Sequence, residues 1–206
     1  SGENASAETF ARNLVVEWEK DTSNAIHGRT ELAYALERNG KRQLSASLMN
    51  ELHRDSDRMT ARDRANVHYM DGLLAYERGK YDSALAGFDL GLRLAFGAPQ
   101  YYRALALLKL NRVSEAIIEL HRLAGYSLIL NSPFDADFLP LSNRRPIFSV
   151  KAHYWLGVAF EGQGKKDEAI AEYRKFLDTW KAADFKSKEL EDARARLALL
   201  TGTAAK

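Results

Sequence analysis

Gly157 sits in the middle of an otherwise helical run, Ser149 to Leu177, which reads SVKAHYWLGVAFEGQGKKDEAIAEYRKFL. Glycine inside a helix costs roughly 1 kcal/mol relative to alanine. That cost is offset only where a second helix comes too close for a side chain. The run therefore reads as two amphipathic helices folded against each other. Gly164 is the turn, where a left-handed residue ends the first helix. Ala169 is the small residue expected opposite Gly157, with Phe160 and Tyr173 as the large residues around the contact. One such pair buries too little apolar surface to stand alone, so neighbouring pairs must stack on it.

The spacing recurs along the chain. Gly72, Gly79, Ala84 and Phe88 repeat the intervals of Gly157, Gly164, Ala169 and Tyr173, with Tyr81 two residues past the turn and Gly91 near the end of the second helix. Asp71 stands where Leu156 stands, a departure at a position expected to be packed. Ala104, Leu107, Asn111, Ala116 and Leu120 give a further pair, opened by Pro99 in a first helical turn. A degenerate version spans Ile26 to Leu52, with Leu32, Ala33 and Leu36, the turn at Gly40, and Ser45 and Met49 in place of Ala169 and Tyr173.

The order His153, Leu156-Gly157, Phe160, then Ala169 and Tyr173, resembles the tetratricopeptide repeat (TPR), with its aromatic, Leu-Gly, Tyr, Ala and Phe positions. His153 replaces the usual Trp, and Lys181 stands near the place of the closing Pro. The resemblance implies an all-α fold: a right-handed solenoid of about four helix pairs with flanking capping helices, in a single domain over 8–200. Ala84 to Ala116 is close to the roughly 34-residue period. Ala116 to Ala169 is more than one and a half periods, which places a long insertion, 126–147, between the last two repeats. Its apolar clusters, Leu128-Ile129-Leu130 and Phe138-Leu139-Pro140-Leu141, do not suit a solvated linker. Packing over the adjacent helices is expected, ahead of occlusion of the groove.

In TPR proteins the first helix of each pair lines the concave face, where partners commonly lie. Carried onto this chain, Tyr69, Tyr101 and Tyr154 fall at one repeat position, three residues before the small residue of the crossing. Leu73 and Tyr76, Leu105 and Leu108, and Val158 and Glu161 follow one turn later. The resemblance thus implies a tyrosine and aliphatic groove for a peptide or helix of a partner protein. It does not extend to the clamp that some TPRs use on chaperone tails. The asparagine places of that clamp hold Leu73, Leu105 and Val158, and its lysine place holds tyrosine. The segment from Tyr154 to Leu200 also resembles the closing part of TPR regions in multidomain bacterial signalling proteins. The alternative reading is thus a regulatory or sensing tail that acts by self-association or intramolecular contact.

Outside the repeats, residues 1–7 and 201–206 are expected to be loose. Phe10, Leu14, Val15 and Trp18 mark an amphipathic stripe. The charged stretch Arg54 to Arg64 reads as a solvated connection, with Thr60 and Asp63 as an N-cap pair. Leu190, Ala193, Leu197 and Leu200 give a last helix over Glu189–Leu200, the terminal cap that a solenoid needs.

Composition narrows the function. The net charge of +2 gives no field for nucleic acid, and the absence of cysteine excludes thiol chemistry and disulfides. No apolar run reaches the roughly 18 residues of a membrane span. A soluble, cytoplasmic chain is slightly favoured, and the leading Ser1 suggests a processed chain or a fragment. The histidines are scattered, Gly162-Gln163-Gly164-Lys165 lacks the first glycine and the hydroxyl of a phosphate loop, and no serine sits in a nucleophile elbow. The expectation is a non-catalytic module with no cofactor and no metal, with a homo-oligomer left open.

Overall fold

The computed structural model describes residues 6, 8–10, 12, 13, 22–92, 98–125, 145–180 and 187–203. Among the described residues the fold is all-α, without a strand. The helices are α1 (Thr22–Arg38), α2 (Arg42–Arg54), α3 (Ala61–Glu77), α4 (Tyr81–Gly91), α5 (Ala98–Lys109), α6 (Val113–Gly125), α7 (Arg145–Gly162), α8 (Lys166–Thr179) and α9 (Lys188–Thr201). They follow one another as the pairs α1/α2, α3/α4, α5/α6 and α7/α8, with α9 last.

One turn closes all four pairs. Gly40, Gly79, Asn111 and Gly164 have φ of +76°, +72°, +58° and +72°, the left-handed region where a Cβ is unfavourable. The residue after each donates its N–H back across the turn at 2.9 Å: Lys41 to Leu36, Lys80 to Ala75, Arg112 to Leu107, Lys165 to Phe160. These bonds satisfy carbonyls that the end of a helix leaves unpaired. The next helix starts at once, and its small residue returns an N–H to the basic residue: Ser45 to Lys41, Ala84 to Lys80, Ala116 to Arg112, Ala169 to Lys165. Each of those small residues has no exposed surface at all.

The crossings explain the mid-helix glycines. A Cβ on Gly157 would lie 2.6 Å from Cδ1 and Cε1 of Tyr173, and one on Gly72 would lie 2.5 Å from Cδ1 of Phe88. Both contacts are inside van der Waals limits. The group seated on Gly157 is thus the Tyr173 ring, where the sequence spacing points to Ala169. Phe88 and Tyr173 are fully buried, a contribution of about 2–3 kcal/mol each.

The helices form two compact units, and the boundary falls within α5, after Ala106. In the first, Leu32, Ala35 and Leu36 of α1 form a core with Leu48 of α2. α1 and α3 are joined by polar groups. Glu37 is buried and takes a two-pronged bond from Arg78 at 2.7 and 3.0 Å, with Arg42 at 3.2 Å. These bonds, led by Arg78 and opposed by burial, hold its carboxyl below the usual range. Glu8 is buried under Lys41, Arg12 and Asn39. The bonds from Lys41 and Arg12 outweigh its burial and bring its carboxyl to about 2. Phe10, by contrast, is 64% exposed, so it does not carry the apolar stripe expected there. Leu14, Val15 and Trp18 lie outside the described residues.

The connection from α2 to α3 is less solvated than its charges suggest. Met59 is buried, and the Arg64 guanidinium donates to the carbonyls of Ser56 and Met59. Thr60 caps α3 by accepting from the Asp63 N–H at 3.1 Å, while its hydroxyl donates to the Asp63 carboxylate at 2.6 Å. Asp71 is explained too: it bonds His53 at 3.0 Å and lies 3.6 Å from His68.

In the second unit, Leu120 and Leu123 of α6, Leu156 of α7 and Phe176 of α8 are buried. α7 begins at Arg145, so the last positions of the 126–147 insertion are helical. Pro146 is the second residue of α7, in the first turn, where its missing N–H is not needed. Residues 126–144 lie outside those described. α9 is capped at Ser187, which accepts from the Leu190 N–H, and closed by Gly202 at φ +71°.

Candidate functional site

In the first unit the tyrosine row takes shape around a residue that the sequence reading did not single out, Tyr102. Its ring lies 6.0 Å from that of Tyr76, 6.4 Å from Tyr69, 6.3 Å from Phe88 and 5.3 Å from Tyr101. Tyr76 also meets Tyr81 edge to face at 5.4 Å. The Phe88 pair is stacked and the others are tilted or edge-on, arrangements that suit the ring quadrupoles and add about 0.5–1.5 kcal/mol per pair beyond burial. Tyr69 and Tyr76 remain half-buried, while Leu73, Tyr101 and Leu105 are buried. Burial, then the neighbouring Tyr81, Tyr102 and Glu77, push the Tyr76 hydroxyl up to about 12. Tyr34 of α1 donates to Glu77 at 3.0 Å, and burial and Tyr102 raise its hydroxyl further. These phenols stay neutral donors at physiological pH.

A signal for Tyr102 was present. Two residues before the small residue of the crossing stand Met70, Tyr102 and Trp155, all large. The position one residue earlier, where the row is tyrosine throughout, is the more regular signal. In α5 that position, Tyr101, is buried.

In the second unit the predicted residues of α7 meet α9. The Tyr154 hydroxyl donates to Asp192 at 2.8 Å and is buried. Glu161 accepts from Tyr173 at 2.8 Å and from Arg196 at 3.0 Å. Lys151 donates to Glu189 at 2.7 Å. Burial and the bond to Asp192 raise the Tyr154 hydroxyl, and burial and the bond to Glu161 raise that of Tyr173. Val158 and Leu108 are half-buried. Thus α9 already occupies the polar part of the α7 row.

Residues 151–181 match the family model of the tetratricopeptide repeat. The match covers most of α7 and all of α8, the pair built around Gly157. Across the chain the fold resembles the crystal structure of BtubC (BKLC) from P. vanneervenii, with a TM-score of 0.71 at 13% identity over 98% of this chain and 82% of that one. At that identity the likeness is one of fold. No curated protein matches the sequence. TPRs in general mediate protein–protein interaction, and the all-α helix-pair architecture agrees with that role. Among the described residues no cluster of three His, Asp or Glu could hold a metal ion, and no helix is long and apolar enough to cross a membrane.

Proposed function

We propose that this chain is a non-catalytic protein–protein interaction module that holds a peptide or helix of a partner against the first helices of its pairs. The observation that carries this reading is the half-buried Tyr69 and Tyr76 row on α3, backed by Tyr102 and Tyr81. Rigid, amphipathic rings of this kind give large contact area at low entropic cost. Leu108, Val158 and Glu161 are the other members of the predicted row that keep exposed surface. Leu73, Tyr101, Leu105 and Tyr154, the remaining members, are buried.

The test is a pulldown from the source organism's lysate with the parent chain and a Tyr69→Ala/Tyr76→Ala variant of confirmed helicity. A partner held by the parent and lost by the variant supports the reading. A partner held equally by both moves the binding face away from α3.

A further inference from the structure

α8 and α9 leave a surface pocket of about 340 Å3 between them, lined by Arg174 and Leu177 of α8 and by Arg194, Leu197, Ala198 and Thr201 of α9. It shares no residue with the tyrosine row. Its guanidinium groups differ from the other described ones of this unit. Arg112, Arg122 and Arg196 are each paired with a carboxylate, Glu115, Glu119, and both Glu161 and Asp192. Arg174 and Arg194 are exposed and have no carboxylate partner among the described residues.

The floor is of a different kind. Leu177, Leu197 and Ala198 are half-buried, so apolar surface lies beside two unpaired cations. The hydroxyls at the far end are already committed. Thr201 donates to the Leu197 carbonyl at 2.8 Å, which leaves Thr203 to donate to Thr201, also at 2.8 Å. The carbonyls at the end of α9 are satisfied as well, Leu199 by the Gly202 N–H and Ala198 by that of Thr203. The free donors of the pocket are therefore the two guanidinium groups. Each can take a carboxylate with two parallel bonds. Asp178 and Glu191, one turn from Arg174 and Arg194, break any continuous basic stripe of the sort that nucleic acid requires.

We propose that this pocket is a second peptide site, which takes an acidic segment of a partner protein. An aliphatic side chain of that segment rests on Leu177, Leu197 and Ala198, and flanking carboxylates pair with Arg174 and Arg194. A pocket with an apolar floor and a few directed polar groups is the usual form of such sites.

The experiment is an NMR titration of the 15N-labelled chain with the peptide acetyl-Glu-Leu-Leu-Glu-amide and its glutamine counterpart. The acidic peptide should shift amides at 174–177 and 194–203. The glutamine peptide should bind about tenfold more weakly, the scale of a lost charge-assisted bond. The Arg174→Gln/Arg194→Gln variant should lose the shifts with its melting curve unchanged, since both side chains are exposed. Ala198→Glu, which fills the floor with a like charge, should lose them too. Three results overturn the proposal: no shift at millimolar peptide, the same shifts in the double variant, or the same shifts from inorganic phosphate alone.

Discussion

The α3/α4 and α7/α8 pairs share one register, yet they cross differently. Gly72 answers Gly157, Gly79 answers Gly164, and Phe88 answers Tyr173. One position breaks the likeness: Gly87 of α4 answers Glu172 of α8. A Cβ on Gly87 would lie 2.5 Å from the Gly72 nitrogen, 2.7 Å from its Cα and 2.8 Å from the His68 carbonyl. α3 and α4 meet backbone to backbone there. Glu172 has a real side chain at the same place, so α7 and α8 cannot approach as closely. The place is taken by a buried carboxylate: Glu172 bonds His153 Nδ1 across the crossing at 2.6 Å and the exposed Lys175 of its own helix at 2.7 Å. One crossing is held by backbone proximity, the other by a polar bond to a buried carboxylate.

Gly87→Ala is the largest test of that difference. The obstacle is backbone, which no rotamer change relieves, so the cost should sit at about 3 kcal/mol, the upper end of overpacking. Thermal unfolding followed by circular dichroism reads it directly. Gly72→Ala and Gly157→Ala meet rings that can tilt, and should cost less. If Gly87→Ala melts like the parent, the close crossing of α3 and α4 is wrong.

The pairs also differ in how they hold the first helix that follows. α5 presents the Tyr102 ring to Tyr69, Tyr76 and Phe88. α9 presents Glu189, Asp192 and Arg196 to Lys151, Tyr154 and Glu161. Arg196 is the centre of the second set, bonding both Asp192 and Glu161. Arg196→Met should strip two carboxylates of their shared cation, leaving Asp192 only the Tyr154 hydroxyl and Glu161 only that of Tyr173, and cost about 1–2 kcal/mol, since the site is partly open to water. The loss should be local. Hydrogen exchange should quicken in α9 well before it does in α7 or α8. Uniform loss of protection would mean that α9 is integral to the unit.

The charged crossing has a pH signature. Burial opposes the Glu172 charge, but the bonds from His153 and Lys175 outweigh it and hold the carboxyl below its usual range. A carboxyl lowered in the folded state adds stability above its unfolded value, and that stability is lost as pH falls through the folded one. Glu172→Gln should therefore cost about 1–2 kcal/mol at pH 7, with the gap to the parent closing below about pH 4. The α3/α4 crossing has no counterpart at Gly87. Melting curves taken in steps from pH 7 downward measure the gap, and a gap that does not narrow as pH falls removes the charge from the explanation.

What the sequence made legible was what a few neighbouring residues decide. The left-handed turns at Gly40, Gly79, Asn111 and Gly164 depend on local backbone, and the Thr60–Asp63 cap on four residues. Gly72 and Gly157 announced close contact because nothing else justifies glycine in a helix. The partners of the contact were less legible. Glu172 sits in the polar run KKDEAIAEYRK, where burial is not suggested; His153, on another helix, decides it. Glu8 is buried by Lys41 and Asn39 in the same way. In the candidate site, Tyr101 and Tyr102 are adjacent and identical in type. Only the rotation of α5 against α3 separates the buried ring from the one that meets the row.

The smallest effect tests the register itself. Ser45 holds the place of Ala84, Ala116 and Ala169, and like them it is fully buried. Its backbone N–H bonds Lys41 as theirs bond Lys80, Arg112 and Lys165. Its hydroxyl has no partner among the described residues. A buried hydroxyl without a hydrogen bond costs about 1–3 kcal/mol, and alanine is the better helix former. Ser45→Ala should thus stabilise the chain by about 1 kcal/mol, a rise of a few degrees in melting temperature. Ala84→Ser should cost a similar amount at the equivalent place. If the two substitutions fail to mirror each other, the α1/α2 pair does not share the packing of α3/α4, and its turn at Gly40 is the extent of the likeness.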